Sequence, residues 1–91
     1  MHHFRGTLLK GDLIRLNPAN VYIEYDHDTA SGPEESWQGY LLVASEADVA
    51  PGGTYTLTLV DGRAGKIRIG DLAPDDSGKY RANFVGDGPL G

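Results

Sequence analysis

The sequence contains no cysteine, so neither a disulfide framework nor a thiolate metal cluster can brace the fold, and a zinc ribbon is excluded. It also lacks any apolar run approaching the ~20 residues that cross a bilayer. The start, Met1-His2-His3-Phe4-Arg5-Gly6, has no signal-peptide stretch, which leads to the expectation of a cytoplasmic protein without membrane contact. Lysine and arginine are missing altogether between Leu16 and Gly62, a segment that carries Glu24, Asp26, Asp28, Glu34, Glu35, Glu46, Asp48 and Asp61. The cations are confined to the two flanks: Arg5, Lys10 and Arg15 before, and Arg63, Lys66, Arg68, Lys79 and Arg81 after. A net charge of -5 disfavours nucleic acid as a partner, because phosphate binding needs clustered cations that release counterions. The polarised charge reads first as intramolecular neutralisation, with basic strands lying beside acidic ones.

What the sequence does have is two-residue periodicity. In Thr54-Tyr55-Thr56-Leu57-Thr58-Leu59-Val60 the residues Tyr55, Leu57 and Leu59 face one way and the threonines the other, the pattern of a half-buried strand. Asp61-Gly62 follows and suits a type I′ turn, and Lys66-Ile67-Arg68-Ile69 alternates again, so a hairpin is expected, with Arg63-Ala64-Gly65 lengthening the turn or forming a bulge. Val21-Tyr22-Ile23-Glu24-Tyr25 and the run from Trp37 to Ala44 are further strands. Phe4 to Leu16 gives one or two more, broken near Gly11-Asp12, and Asn17-Pro18 is expected to turn the chain. Lys79 to Val85 supplies the last strand, with Tyr80, Ala82 and Phe84 on one face; residues 86–91 are too glycine-rich to be regular and read as a flexible tail. Asp26 to Ser36 reads as an acidic loop, and Ser45-Glu46-Ala47-Asp48 as a single capped helical turn before Pro51-Gly52-Gly53.

The chain of 91 residues is one domain, burying roughly 60–65% of its unfolded surface. Six or seven short strands without a covering helix predict an all-β fold: a small antiparallel barrel of SH3-like or PilZ-like architecture, which also hides strand edges. The expected core is Val21, Ile23, Trp37, Leu41, Val43, Tyr55, Leu57, Leu59, Ile67, Ile69, Tyr80 and Phe84.

Two resemblances bear on the architecture. The segment from Ile67 to Tyr80, with Asp76-x-Gly78-x-Tyr80, resembles the tyrosine corner of an immunoglobulin-type sandwich, the alternative fold, with Trp37 near the position of strand C. Ala82 stands where that family has its second cysteine. The phrase Trp37-Gln38-Gly39-Tyr40-Leu41-Leu42, followed by Pro-Gly-Gly and Asp61-Gly62-Arg63, resembles PilZ-type barrels, which bind a cyclic dinucleotide through clustered arginines and a later Asp-x-Ser-x-x-Gly motif. Here Arg5 and Arg15 are not closely spaced, and Asp71 to Asp76 has alanine and aspartate where serine and glycine belong. This resemblance implies architecture only.

Chemistry-bearing patterns are scarce. His27, between Asp26 and Asp28, is the internal histidine, but calcium-loop spacing fails at Ala30 and Ser31, and adjacent strand residues point apart, so no metal site is expected. Ser31, Ser36, Ser45 and Ser77 lie in turn contexts without a nucleophile elbow, and Gly52-Gly53 precedes a strand and not a helix, so neither an enzyme nor a cofactor is expected. A catalytic reading would need a cleft lined by Asp26, His27 and Glu35.

Binding is the more promising class. Arg63, Lys66, Arg68 and Arg81 would make a basic face for a small anionic ligand if the hairpin lies against the last strand. Tyr22, Tyr40 and Leu42 fall opposite the core positions and leave large apolar groups outside a barrel, a surface for a protein partner or for self-association. The expectation is a non-catalytic protein-interaction or assembly module, with an anionic-ligand sensor as the alternative.

Overall fold

A computed structural model describes residues 2–26, 36–88 and 90. Within them six strands form a closed antiparallel barrel: β1 (His2–Lys10), β2 (Leu13–Asp26), β3 (Ser36–Val43), β4 (Thr54–Leu59), β5 (Ala64–Pro74) and β6 (Tyr80–Asp87). The order around the barrel is β1-β2-β3-β6-β5-β4, and β4 pairs with β1 to close it. Strands β4, β5 and β6 follow one another through hairpins and β3 lies beside β6, a Greek-key arrangement. Closure rules out the immunoglobulin-like sandwich, whose two sheets keep open edges.

The alternation read from the sequence is the alternation of the barrel wall. Leu8, Val21, Ile23, Leu41, Val43, Leu57, Ile67 and Ile69 are fully buried, joined by Trp37, Tyr55, Leu59 and Phe84. Each such side chain contributes about 1.5–3 kcal/mol relative to exposure. Tyr80 is half-buried against this cluster, whereas Leu8, Ala19, Val49 and Ala82 are core residues absent from the expected set. No buried polar side chain occurs among the described residues.

The turns differ in detail from expectation, for one shared reason. Leu59 N–H bonds to the Arg63 carbonyl at 2.7 Å and Gly62 N–H to the Leu59 carbonyl at 3.0 Å, so the loop has three residues, and Gly62 is left-handed at φ 97°. A type I′ turn would need a positive φ at Asp61 as well, and no described non-glycine residue has one. The same geometry recurs between β5 and β6: Asp75 N–H bonds to Lys79 O, Gly78 N–H to Asp75 O, and Gly78 has φ 85°. Asp76-x-Gly78-x-Tyr80 is therefore a hairpin loop and not a tyrosine corner. A two-residue turn is found instead at Gly11-Asp12, where Lys10 pairs with Leu13 and Gly11 alone has a positive φ, the type II′ pattern.

Asn17-Pro18 does not turn the chain. The bond is cis and lies inside β2. Between the pairs Gly6↔Ala19, Leu8↔Leu16 and Leu9↔Ile14, β2 twice has one residue more than β1. Bulges of this kind bend a strand and leave a residue unpaired, which accommodates a proline without N–H. A third bulge in β5, between Ile69 and Leu72, bends the opposite wall.

Both mouths of the barrel are filled. At one, the Ser45–Asp48 turn makes reciprocal cap bonds without becoming a helix: Ser45 N–H reaches Asp48 Oδ2 at 3.1 Å, and Ala47 N–H reaches Ser45 Oγ at 3.2 Å. It brings Val49 into the core. At the other, the region expected to be a free tail is held: Gly86 and Asp87 belong to β6, Trp37 Nε1–H donates to Gly88 O at 2.8 Å, and Leu90 packs against the core.

Candidate functional site

Because the inner positions of the wall are spent on the core, any site lies on the outer face or at a mouth. The outward positions of β1, β2, β3 and β6 are brought into rows by register. His3 is opposite Tyr22, and Tyr22 is opposite Tyr40. The rings follow that register: His3 stacks on Tyr22 with centroids 4.8 Å apart, Tyr22 on Tyr40 also at 4.8 Å and 19° between planes, and the Arg81 guanidinium lies 4.7 Å from the Tyr40 centroid. His3 Nε2 is also 3.1 Å from Asn20 Oδ1. Stacked pairs contribute about 0.5–1.5 kcal/mol and an exposed cation–π contact about 0.5–1 kcal/mol, so the ladder braces the wall from outside.

Arg81 is fixed from its far side. Its Nε–H donates to Asp75 Oδ1 at 2.6 Å, and the other carboxylate oxygen of Asp75 accepts from the Ser77 hydroxyl at 2.6 Å and the Ser77 N–H at 3.1 Å. These bonds, the Ser77 hydroxyl first and Arg81 next, hold the Asp75 carboxyl down at about 2. Arg81 is raised in return, chiefly by its bond to Asp75.

Beside the ladder, towards the Trp37 end, is a shallow groove of about 310 Å³. Tyr40 and Val85 line it with outward apolar side chains, Glu24, Gln38 and Asn83 supply polar groups, and the inward-alternating Gly39 and Phe84 lie between them. A Cβ at Gly39 would collide with the Tyr22 carbonyl, so the missing side chain is a requirement of strand packing.

The interaction residues read from the sequence, Tyr22, Tyr40 and Leu42, do share this outer face. All three are half-buried, and Leu42 sits between Asn20 and Arg81 by register. The four cations do not converge. Lys66 and Arg68 point outward from β5, opposite Asp87 and Val85 of β6, with no ion pair among the described residues. Arg81 lies four residues along β6 from Val85, roughly 13 Å away at strand rise, and is engaged by Asp75. Arg63 is in the β4–β5 turn, bonded to Asp61 at 2.9 Å and 4.9 Å from the Phe4 ring centroid. His27, Asp28, Glu34 and Glu35 lie outside the described residues. Among those described, no three His, Asp or Glu side chains form a cluster able to hold a metal ion.

The groove residues Gln38, Asn83 and Val85 were not singled out from sequence, although Val85 as an outward valine next to buried Phe84 carried a signal. So did Leu13 and Ile14, which are 68% and 60% exposed at the β1–β2 hairpin tip. No helix among the described residues is long and apolar enough to cross a membrane. No protein-family model matches the chain, no curated protein matches it, and no solved structure does.

Proposed function

We propose that this barrel is a non-catalytic interaction module that binds a protein surface through the outer face of β2, β3 and β6. One observation carries the reading: a groove lined by outward Tyr40 and Val85, edged by an acid and two amides, lies on the exterior of a barrel whose interior is already filled. Protein-binding patches have this composition, an apolar centre inside a polar rim. Tyr40 is stacked on Tyr22 and contacted by Arg81, packing that reduces the side-chain freedom lost on binding.

The alternative of an anionic-ligand sensor has less support, because two of its four cations are engaged by Asp61 and Asp75 at separate turns. The test is a photo-crosslinking residue in place of Gln38, compared with the same residue in place of Glu46 on the far loop. Discrete protein adducts from position 38 and not from 46 are expected. Equal yields from both would overturn the reading.

A further inference from the structure

The two tyrosines of the outer ladder are placed to react with each other. We propose that Tyr22 and Tyr40 form a modification site, joined as a dityrosine across β2 and β3 by a one-electron oxidant of the peroxidase class that consumes hydrogen peroxide.

Register makes the pair. Tyr22 is directly opposite Tyr40 in the β2–β3 ladder, so both side chains leave the wall on its outer side and run alongside each other. Their rings are stacked with centroids 4.8 Å apart and 19° between planes, and no other two tyrosines among the described residues are in ring contact. His3 stacked on Tyr22 and Arg81 against Tyr40 bracket the pair and hold it in place. Both rings are half-buried on the outside of the barrel, where an oxidant reaches them. Tyr55 is buried in the core with its hydroxyl bonded to the Ala50 N–H at 2.9 Å, and Tyr80 stands opposite Val43 and Pro74, so neither has a tyrosine to couple with.

The oxidant removes one hydrogen atom, as an electron and a proton, from each phenol, and these two hydrogen atoms reduce hydrogen peroxide to two waters. The two phenoxyl radicals then pair their electrons in a bond between a Cε of Tyr22 and a Cε of Tyr40. Each bonded carbon passes its hydrogen as a proton to the oxygen of its own ring, which restores both aromatic systems and leaves a biphenol. The bond requires one ring to tilt out of the stack, a motion that the open outer face allows. Proximity selects the product: a radical on Tyr22 has Tyr40 in contact, whereas the tyrosine of another chain has to arrive by diffusion. The link closes the chain between residues 22 and 40 and restricts its unfolded state in the way a disulfide does, in a protein that has no cysteine.

The test treats the full chain at micromolar concentration with a peroxidase and hydrogen peroxide. It reads dityrosine fluorescence, the mass of the monomer and its cross-linked peptides. The expected product is a monomer lighter by two hydrogens, with Tyr22 linked to Tyr40 and a raised melting temperature. Tyr22→Phe and Tyr40→Phe keep the ring and lose the phenol; circular dichroism confirms that they fold, and each should lower the dityrosine of the monomer about tenfold or more, while Tyr80→Phe leaves it unchanged. Dityrosine found only in dimers, a monomer link through another pair, or an undiminished yield in Tyr22→Phe overturns the proposal. So does an unmodified chain in a mixture where free tyrosine couples.

Discussion

At the scale of single residues, stability and charge are set by different neighbourhoods. Leu57 is fully buried and faces Leu8 across the β1–β4 seam that closes the barrel. Leu57→Ala removes packing that a rigid wall cannot recover and should cost about 2–5 kcal/mol, read as a lowered denaturant midpoint. An unchanged midpoint would contradict the core assignment. Asp75 acts through its charge. Its folded value near 2 lies below the ~3.9 of an unfolded aspartate, so its contribution is complete above that value and is lost as pH falls through about 2. The stability gap between wild type and Asp75→Asn should be visible at neutral pH and should close near pH 2. A gap independent of pH would mean that Asp75 acts by shape and not by ionisation.

At the scale of elements, glycine separates turns from seams. Gly62 and Gly78 occupy the left-handed position of equivalent three-residue loops, with open space where a Cβ would go. Alanine at either should cost about 1–2 kcal/mol of backbone strain, with asparagine costing less because it tolerates that conformation. Gly39 is the opposite case: its φ is not positive, but a Cβ would overlap the Tyr22 carbonyl. Gly39→Ala should therefore destabilise more than Gly62→Ala in the same thermal melt, and the reverse ranking would refute the seam geometry. Gly39 also lines the outer-face groove, beside Tyr40 and Val85.

At the scale of the molecule, pairing of β4 with β1 closes the barrel and leaves its ends to be covered by other segments. Trp37, the sole tryptophan, is buried at one mouth with its indole packed over Gly86 and its N–H bonded to Gly88 O. Removing residues 88–91 should shift its emission to the red and lower the melting temperature, because the indole loses its acceptor and the core cluster loses the packing of Leu90. Unaltered emission would show that the carboxyl-terminal residues contribute no packing there.

The sequence by itself determined the class of fold, because period-two alternation in β4, β5 and β6 can be satisfied only by half-buried strands, and it determined which side is core in β3 to β6 and in the Val21–Tyr25 part of β2, but not in β1. It also put Tyr22, Tyr40 and Leu42 outside, where the structure has them. Only the tertiary structure decided the rest. Whether the sheet closes depends on the pairing of β1 with β4, and its curvature on bulges that have no sequence signature apart from Pro18. The groove exists because β2, β3 and β6, distant in sequence, bring Glu24, Gln38, Gly39 and Val85 together. The scatter of Arg63, Lys66, Arg68 and Arg81 has the same cause: local alternation says that a side chain points outward, and only register says which neighbour it meets.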